Sequence, residues 1–320
     1  MNTAIVGSNF ALKGYLPAIQ KIKRYKLKII CSRKIHKIKS QIDIKNVIFE
    51  NNWKKIFKKN IKLIILAVPP VTQEKILKYN LKFKKKIIFE KPISQNIERS
   101  KKIVKLLKKN KIKVSINLTY LNNSLFRKLR RIIKTKKLGE VKKYNIIWSF
   151  KSADYNNKVK TWKTDEKLGG GIKNIFLTHV LSYCEFLFGI NQISNIQIKC
   201  SKFKGLNYKN HISFNIKNEK NINGKISIFN KKKGDQFHKI NIIFEKGNIL
   251  LFTKSKDWTK YFKLTVQKIN KKPLEIMSSN NFQDGRSAEI YFMLKEFLKK
   301  QNYTKLNYCL NAEKINHQLN

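Results

Sequence analysis

Two side chains in this sequence have the type and setting to move a proton beside a reacting carbon. Lys91 stands in Glu90-Lys91-Pro92, directly after the apolar run Ile87-Ile88-Phe89. Such a run reads as a strand buried on both faces. Pro92 fixes its own φ and lacks an N–H, so the chain turns there. The lysine is thereby held on a stiff corner at the carboxyl end of a strand, where open parallel sheets bind ligands. An amine in a partly dry site shifts its pKa and serves in proton transfer. His179 lies eight residues beyond Gly169-Gly170-Gly171, on a predicted helix that also carries Asn174. Imidazole titrates near neutral pH and suits general acid–base work. Each residue has a plainer reading. Lys91 is also what a solvated strand end looks like in a lysine-rich chain, and His179 what a satisfied core histidine looks like on a mostly apolar helix.

The elements that position them follow from periodicity. Over residues 1–118, strands are expected at Ala4–Val6, Leu27–Cys31, Val47–Phe49, Leu63–Ala67, Ile87–Phe89 and Val114–Ile116, with helical patterns between. The clearest helix places Ile97, Ser100, Val104 and Leu107 on one face, with Ser94 as its cap. Regular βα alternation with short loops predicts a doubly wound parallel sheet. The first turn, Gly7-Ser8-Asn9-Phe10-Ala11-Leu12-Lys13-Gly14, follows a strand and precedes an apolar helix. That is the context in which backbone amides and a helix N-terminus hold a dinucleotide pyrophosphate. Its glycines are incomplete. Asn9 replaces one as the residue next most tolerant of positive φ, and Ala11 supplies the small size needed near another. A plain strand–helix turn is the alternative. The second strand ends Cys31-Ser32-Arg33, with a hydroxyl and a guanidinium where an NAD site places a carboxylate. These suit the 2′-phosphate of NADP, although a surface arginine would look the same. The fourth strand ends Ala67-Val68-Pro69-Pro70, a rigid loop expected close to the first turn, where a nicotinamide could rest.

After residue 118 the texture changes. A helix is expected at Phe126–Ile133 and a strand at Tyr144–Trp148. Beyond about residue 194 alternating strands dominate: Ile212/Phe214/Ile216, Ile226/Ile228 and Ile240/Ile242/Phe244. One face is apolar and the other carries Lys and Asn, which describes a one-sided, mostly antiparallel open sheet with its second face available to a partner subunit. Two helices are expected near 286–300 and 311–319. The expected fold is therefore α/β: an N-terminal Rossmann domain, 1–118, and a C-terminal α+β domain, 119–320.

Composition sets the outer limits. The net charge is +52, but only seven of the 71 basic residues are Arg, the residue that forks to bases and phosphates. The lysines are spread along the whole chain, so no specific nucleic-acid function is expected. No apolar run reaches the roughly 20 residues that span a membrane, and no signal peptide is read. The four cysteines are far apart, without a CxxC pair. Neither a metal site nor a disulfide framework is expected, and a cytoplasmic setting is.

Taken together, the Gly7–Gly14 turn running into Tyr15-Leu16-Pro17-Ala18, Ala67-Val68-Pro69, Glu90-Lys91-Pro92, and the glycine run with His179 beyond it resemble the Gfo/Idh/MocA oxidoreductase family along nearly the whole chain. The resemblance implies hydride transfer to or from a secondary alcohol or ketone of a sugar, nucleotide sugar or cyclitol. NADP(H) is preferred over NAD(H) on account of Ser32 and Arg33, and no metal is needed. It implies that Lys91 contacts the nicotinamide ribose and the substrate hydroxyl, and that His179 is the acid/base. Gly7, Asn9, Phe10, Ala11, Leu12, Ala67, Pro69 and Glu90 would hold the cofactor, and Tyr120, Trp162, Asn174 and His179 the substrate. A homodimer or homotetramer through the open sheet is implied as well. One position departs from the family pattern: Ile175 stands where many members carry an Asp four residues before the His. The alternative this raises is a catalytically idle NADP-binding sensor or scaffold of the same fold.

Overall fold

The computed structural model describes residues 1–42, 44–157, 159–190, 192–203, 206–218, 220–231, 233–278, 281–299 and 303–319. The chain forms two compact units. One comprises Met1–Leu118 with Phe282–Leu310, and the other comprises Thr119–Asn281 with the residues from Asn311 onward.

The first unit is built on six parallel strands: β1 (Asn2–Gly7), β2 (Lys26–Cys31), β3 (Ile48–Glu50), β4 (Leu63–Ala67), β5 (Lys86–Glu90) and β6 (Val114–Asn117). Their order is β3-β2-β1-β4-β5-β6, the doubly wound arrangement expected from the alternation. Ile5, Leu63–Leu66 and Ile87–Phe89 are fully buried, because helices cover both faces of such a sheet. One face packs on Ala11, Tyr15, Ala18 and Ile19 from the first helical segment. It also packs on Ile290, Met293, Leu294 and Phe297 of the Gly285–Lys299 helix. The latter residues lie at helical spacing on one stripe, and the Tyr25 hydroxyl donates to the Leu294 carbonyl at 2.7 Å. Assigning all of 119–320 to the second domain is thereby corrected: residues 282–310 complete the core of the first.

A second correction concerns the cap of the Ile97–Lys109 helix. Asn96, whose side chain accepts from the Arg99 amide at 3.0 Å, is the N-cap. Ser94 is fully buried and donates its hydroxyl to the Glu74 carboxylate, so it is drawn away from the helix end.

The second unit carries an eight-stranded sheet. Its strands are β7 (Val141–Phe150), β8 (Gln192–Phe203), β9 (Leu206–Lys217), β10 (Asn223–Asn230), β11 (Phe237–Phe244), β12 (Gly247–Thr253), β13 (Lys263–Lys268) and β14 (Leu274–Met277). The order is β14-β13-β12-β11-β7-β10-β9-β8, antiparallel throughout except for β7 against β10. Alternation does the work here. Ile146, Trp148, Ile212, Phe214, Ile226, Ile228, Ile240 and Ile242 are buried on one face, while Lys143, Lys225 and Lys239 point out on the other. Phe126 of the Ser124–Lys134 helix and Tyr183 of the Thr178–Leu187 helix join the buried side.

Candidate active site

In the first unit, the residues singled out from sequence meet at the carboxyl edge of one sheet. Parallel pairing puts the ends of β2, β1, β4, β5 and β6 side by side, so Ser32, Gly7, Ala67, Glu90 and Asn117 follow one another along that edge. Gly7 has φ +141°, and a Cβ there would overlap the Ala67 carbonyl oxygen. Only glycine lets the two strand ends approach this closely. The helix begins at Asn9, so Asn9 does not adopt the positive φ anticipated for it; its side chain is exposed. Ala11 is fully buried in the core, where its small size is required. Leu12 donates its amide to the Ser8 carbonyl at 2.9 Å. The Phe10 ring lies over Gly14, where a Cβ would come within 2.6 Å of it.

Glu90 is the polar hub of this edge. Its Oε1 accepts from the Tyr15 hydroxyl at 2.6 Å and from Asn117 Nδ2 at 2.9 Å. Burial pushes the carboxyl up from its ordinary pKa, against the lowering effect of those two donors and of the Lys91 and Arg286 charges. The corner itself is held by Gln73, a fully buried residue of the Pro70–Asn80 helix. Gln73 Nε2 donates to the carbonyls of Glu90, Pro92 and Ile93 at 2.8, 2.9 and 3.1 Å, and Oε1 accepts from the Glu90 amide at 3.0 Å. Lys91, half-buried, thus projects from a backbone clamped on both sides, and the Lys91–Pro92 peptide is cis. Pro69 precedes that helix and accepts the Gln73 amide through its carbonyl at 2.9 Å. At the end of β2, Ser32 Oγ accepts from the Lys34 amide at 3.1 Å, and Arg33 is exposed beside it.

Sequence reasoning missed Gln73 and Arg286. The Arg286 guanidinium forks onto Asp284, with Nε–Oδ1 2.9 Å and Nη2–Oδ2 2.6 Å, and lies 4.8 Å from the centre of the Phe10 ring. A polar residue on the inner face of the Pro70–Asn80 helix was a usable signal for Gln73. Nothing local marks Arg286, because only the return of residues 282–310 brings it to the first turn.

In the second unit, Trp162, Asn174 and the glycine run form one assembly. A Cβ on Gly170 would overlap the Trp162 carbonyl oxygen, so the absence of a side chain admits the Trp162–Thr164 turn. Asn174 Nδ2 donates to the Gly170 carbonyl at 3.0 Å. The run passes into a π-helical turn, Lys173–Leu177, and then into the Thr178–Leu187 helix. His179 stands in the first turn of that helix, half-buried, and Ile175 is half-buried on the preceding turn. The core histidine of this unit is His238. It is fully buried, bonded to the Tyr183 hydroxyl at 2.9 Å, and burial pushes its pKa down to about 3. Tyr120 is buried. It sits edge-on to His179 with ring centres 5.7 Å apart, and its hydroxyl donates to the Trp258 carbonyl at 3.3 Å. It therefore backs the imidazole from the core instead of forming an open wall.

The first unit fits a dinucleotide. Gly7 puts no side chain at the end of its strand, a helix begins two residues later at Asn9, where first-turn amides lack intrahelical acceptors, and Arg33 stands at the end of the neighbouring strand. Among the described residues, no three His, Cys, Asp or Glu side chains cluster as metal ligands, and no helix is long and apolar enough to cross a membrane.

Comparison with known proteins agrees with this architecture. The profile of an oxidoreductase family with an NAD-binding Rossmann fold matches residues 1–118, and that of the GFO/IDH/MocA C-terminal domain matches residues 126–250. An uncharacterised oxidoreductase of Synechocystis sp. is 19% identical over 322 residues, covering 94% of this chain and 87% of its own. Levoglucosan dehydrogenase, solved in complex with NADH and levoglucosan, superposes with a TM-score of 0.84 at 13% identity, covering 100% of this chain and 96% of its own. KijD10, a 3-ketoreductase from Actinomadura kijaniata solved with NADP and TDP-benzene, superposes with a TM-score of 0.79 at 9% identity, covering 100% and 96%. At such identities the structural likenesses are of fold. With both domain profiles in place over most of its length, the chain belongs to the Gfo/Idh/MocA family of oxidoreductases.

Proposed function

We propose that this oxidoreductase uses NADP(H) to interconvert a secondary alcohol and a ketone on a sugar, nucleotide sugar or cyclitol. The observation that carries the reading is the Glu90-Lys91-Pro92 corner, clamped by Gln73 at the same sheet edge as the Gly7 turn. The bound nicotinamide supplies the hydride acceptor or donor. Lys91 holds the substrate oxygen and stabilises the negative charge that grows on it, and its mounting on a fixed backbone means little reorganisation during the step. His179 takes the hydroxyl proton on oxidation and returns it on reduction. Glu90, tied to Tyr15 and Asn117, fixes the start of the corner that carries the lysine. Gly7, Asn9, Phe10, Ala11 and Leu12 cradle the pyrophosphate, Ala67 and Pro69 flank the ring, and Ser32 with Arg33 takes the 2′-phosphate. Trp162 and Asn174, joined through Gly170, face the substrate, while Tyr120 supports His179. The cofactor domain is 1–118 completed by residues 282–310. The polar face of the eight-stranded sheet serves a homodimer or homotetramer, and the protein works in the cytoplasm.

NADPH fluorescence titration and turnover on a panel of sugars, cyclitols and nucleotide sugars test this reading. Lys91→Ala should lower turnover by about a thousandfold while NADPH affinity stays within about threefold. An unchanged rate refutes the assignment. Ile175, apolar where many relatives carry a carboxylate, favours a second reading as an idle NADP-binding sensor, which predicts tight NADPH binding with no turnover across the panel.

A further inference from the structure

The π-helical turn Lys173–Leu177 sits between the glycine run and His179, and it is tied to the far end of the chain. Asn316, on the Thr304–Gln318 helix, is buried at 3% exposure. Its Nδ2 donates to the Lys173 carbonyl at 3.2 Å and to Thr178 Oγ1 at 2.8 Å. In return, Lys173 Nζ donates to the Asn316 carbonyl at 3.3 Å. The Thr178 hydroxyl closes the ring by donating to the Lys173 carbonyl at 3.3 Å. Ser182 Oγ then donates to the Thr178 carbonyl at 2.6 Å, one turn into the helix. The clamp therefore spans both ends of the π-helical turn.

A π-helical turn carries one extra residue per hydrogen-bonded ring, so it shifts the face on which every later side chain emerges. His179 is the second residue after it. Whatever fixes the length of this turn fixes the direction of the imidazole. The clamp also comes at a cost in stability: Asn316 Oδ1 is buried without a hydrogen-bond partner among the described residues. A buried amide with an unmet acceptor is a poor stabiliser compared with an apolar residue of the same shape. An amide placed here in spite of that cost serves orientation more than stability.

We propose that Asn316 is a positioning residue for His179, holding the π-helical turn so that the imidazole emerges toward the substrate. This rests on the reading of His179 as the proton-transfer group. Asn316→Leu keeps the volume and removes both donors. Thr178→Val removes the hydroxyl partner from the other side with little change in shape, and Thr178→Ser keeps it. The first readout needs no substrate: ring resonances of the five histidines in 15N-histidine-labelled protein, with His179→Ala assigning the one of interest. Asn316→Leu and Thr178→Val should each displace the His179 signals and move its titration midpoint by about half a pH unit. The signal of His36, in the other unit, should stay in place, and Thr178→Ser should match the wild type. The second readout is turnover on whichever panel substrate is active. Each of the two disruptive variants should lower kcat by about tenfold with the NADPH dissociation constant unchanged, and the double variant should be no worse than either alone. Unmoved His179 signals in a folded Thr178→Val protein overturn the proposal, as do strictly additive losses. Full activity in His179→Ala instead overturns the proton-transfer reading, so the two failures are told apart.

Discussion

Replacing Gln73 by Leu should detach the Glu90-Lys91-Pro92 corner, and the size of the effect follows from the hydrogen bonds. The Gln73 amide has two N–H groups, shared among three carbonyls at 2.8, 2.9 and 3.1 Å, and one oxygen that accepts the Glu90 amide at 3.0 Å. Leucine fills nearly the same volume, so no large cavity is created. A buried N–H left without an acceptor costs about 1–3 kcal/mol, and carbonyls that lose a donor cost somewhat less, since each keeps a second lone pair. The sum is roughly 3–5 kcal/mol for the first unit. Trp53 is the one tryptophan in residues 1–118 and 282–310, so the 19F resonance of 5-fluorotryptophan at this position reports unfolding of that unit in urea. Gln73→Glu adds a sign to the test. Its carboxylate would face three carbonyl oxygens, so the protonated acid, which can donate, is the form that fits. Its pKa is therefore raised on folding, and the deficit should shrink as pH falls from 7 toward 5. A Gln73→Leu protein that unfolds within about 0.5 kcal/mol of the wild type would show that the corner is held by something else.

Three further outcomes follow. Arg33→Ala should weaken NADPH binding by about tenfold or more and leave NADH binding within about twofold, measured by fluorescence titration. Gly7→Ala should destabilise the first unit by about 2–4 kcal/mol, since the new methyl group meets the Ala67 carbonyl at φ +141°; the Trp53 resonance reads this out as well. Burial and the neighbouring Lys209 push the Lys173 amine down to about 8, opposed by Glu166. Its ordinary value is 10.5. Below pH 8 it is charged in both folded and unfolded chains, and the burial penalty stands in full. Between about 8 and 10.5 the unfolded chain binds the extra proton, so stability should rise with pH, by at most roughly 3 kcal/mol. Lys173→Met should flatten that rise in chemical denaturation measured from pH 7 to 10.

The six parallel strands were legible because burial on both faces leaves apolar runs, as at Ile87–Phe89. The second sheet was legible because burial on one face leaves alternation, as at Ile212/Phe214/Ile216. Placement at the carboxyl edge then followed for Gly7, Arg33, Ala67 and Glu90. What escaped were relations set by the tertiary fold alone. The spacing of Ile290, Met293, Leu294 and Phe297 says that a helix packs, not which sheet receives it. Ser94 and Asn96 are both good caps, and the choice was made by Glu74, twenty residues upstream of Ser94. Of the two histidines in play, only burial distinguishes His238 in the core from His179 at its margin. Asn9 needs none of the tolerance of positive φ expected of it, because the helix starts there. Gln73 and Asn316 each serve a backbone segment remote in sequence, which no local pattern encodes.

The allocation of residues 282–310 to the first unit has a bearing on synthesis. A ribosome that has made residues 1–118 has delivered all six strands of the parallel sheet, but one face still lacks the stripe formed by Ile290, Met293, Leu294 and Phe297. That face must wait, covered only in part by Ala11, Tyr15, Ala18 and Ile19, while more than 160 further residues emerge. Nascent chains of this protein should therefore engage holding chaperones over that interval, and a fragment ending at residue 118 should precipitate unless the later helix is supplied to it as a separate peptide.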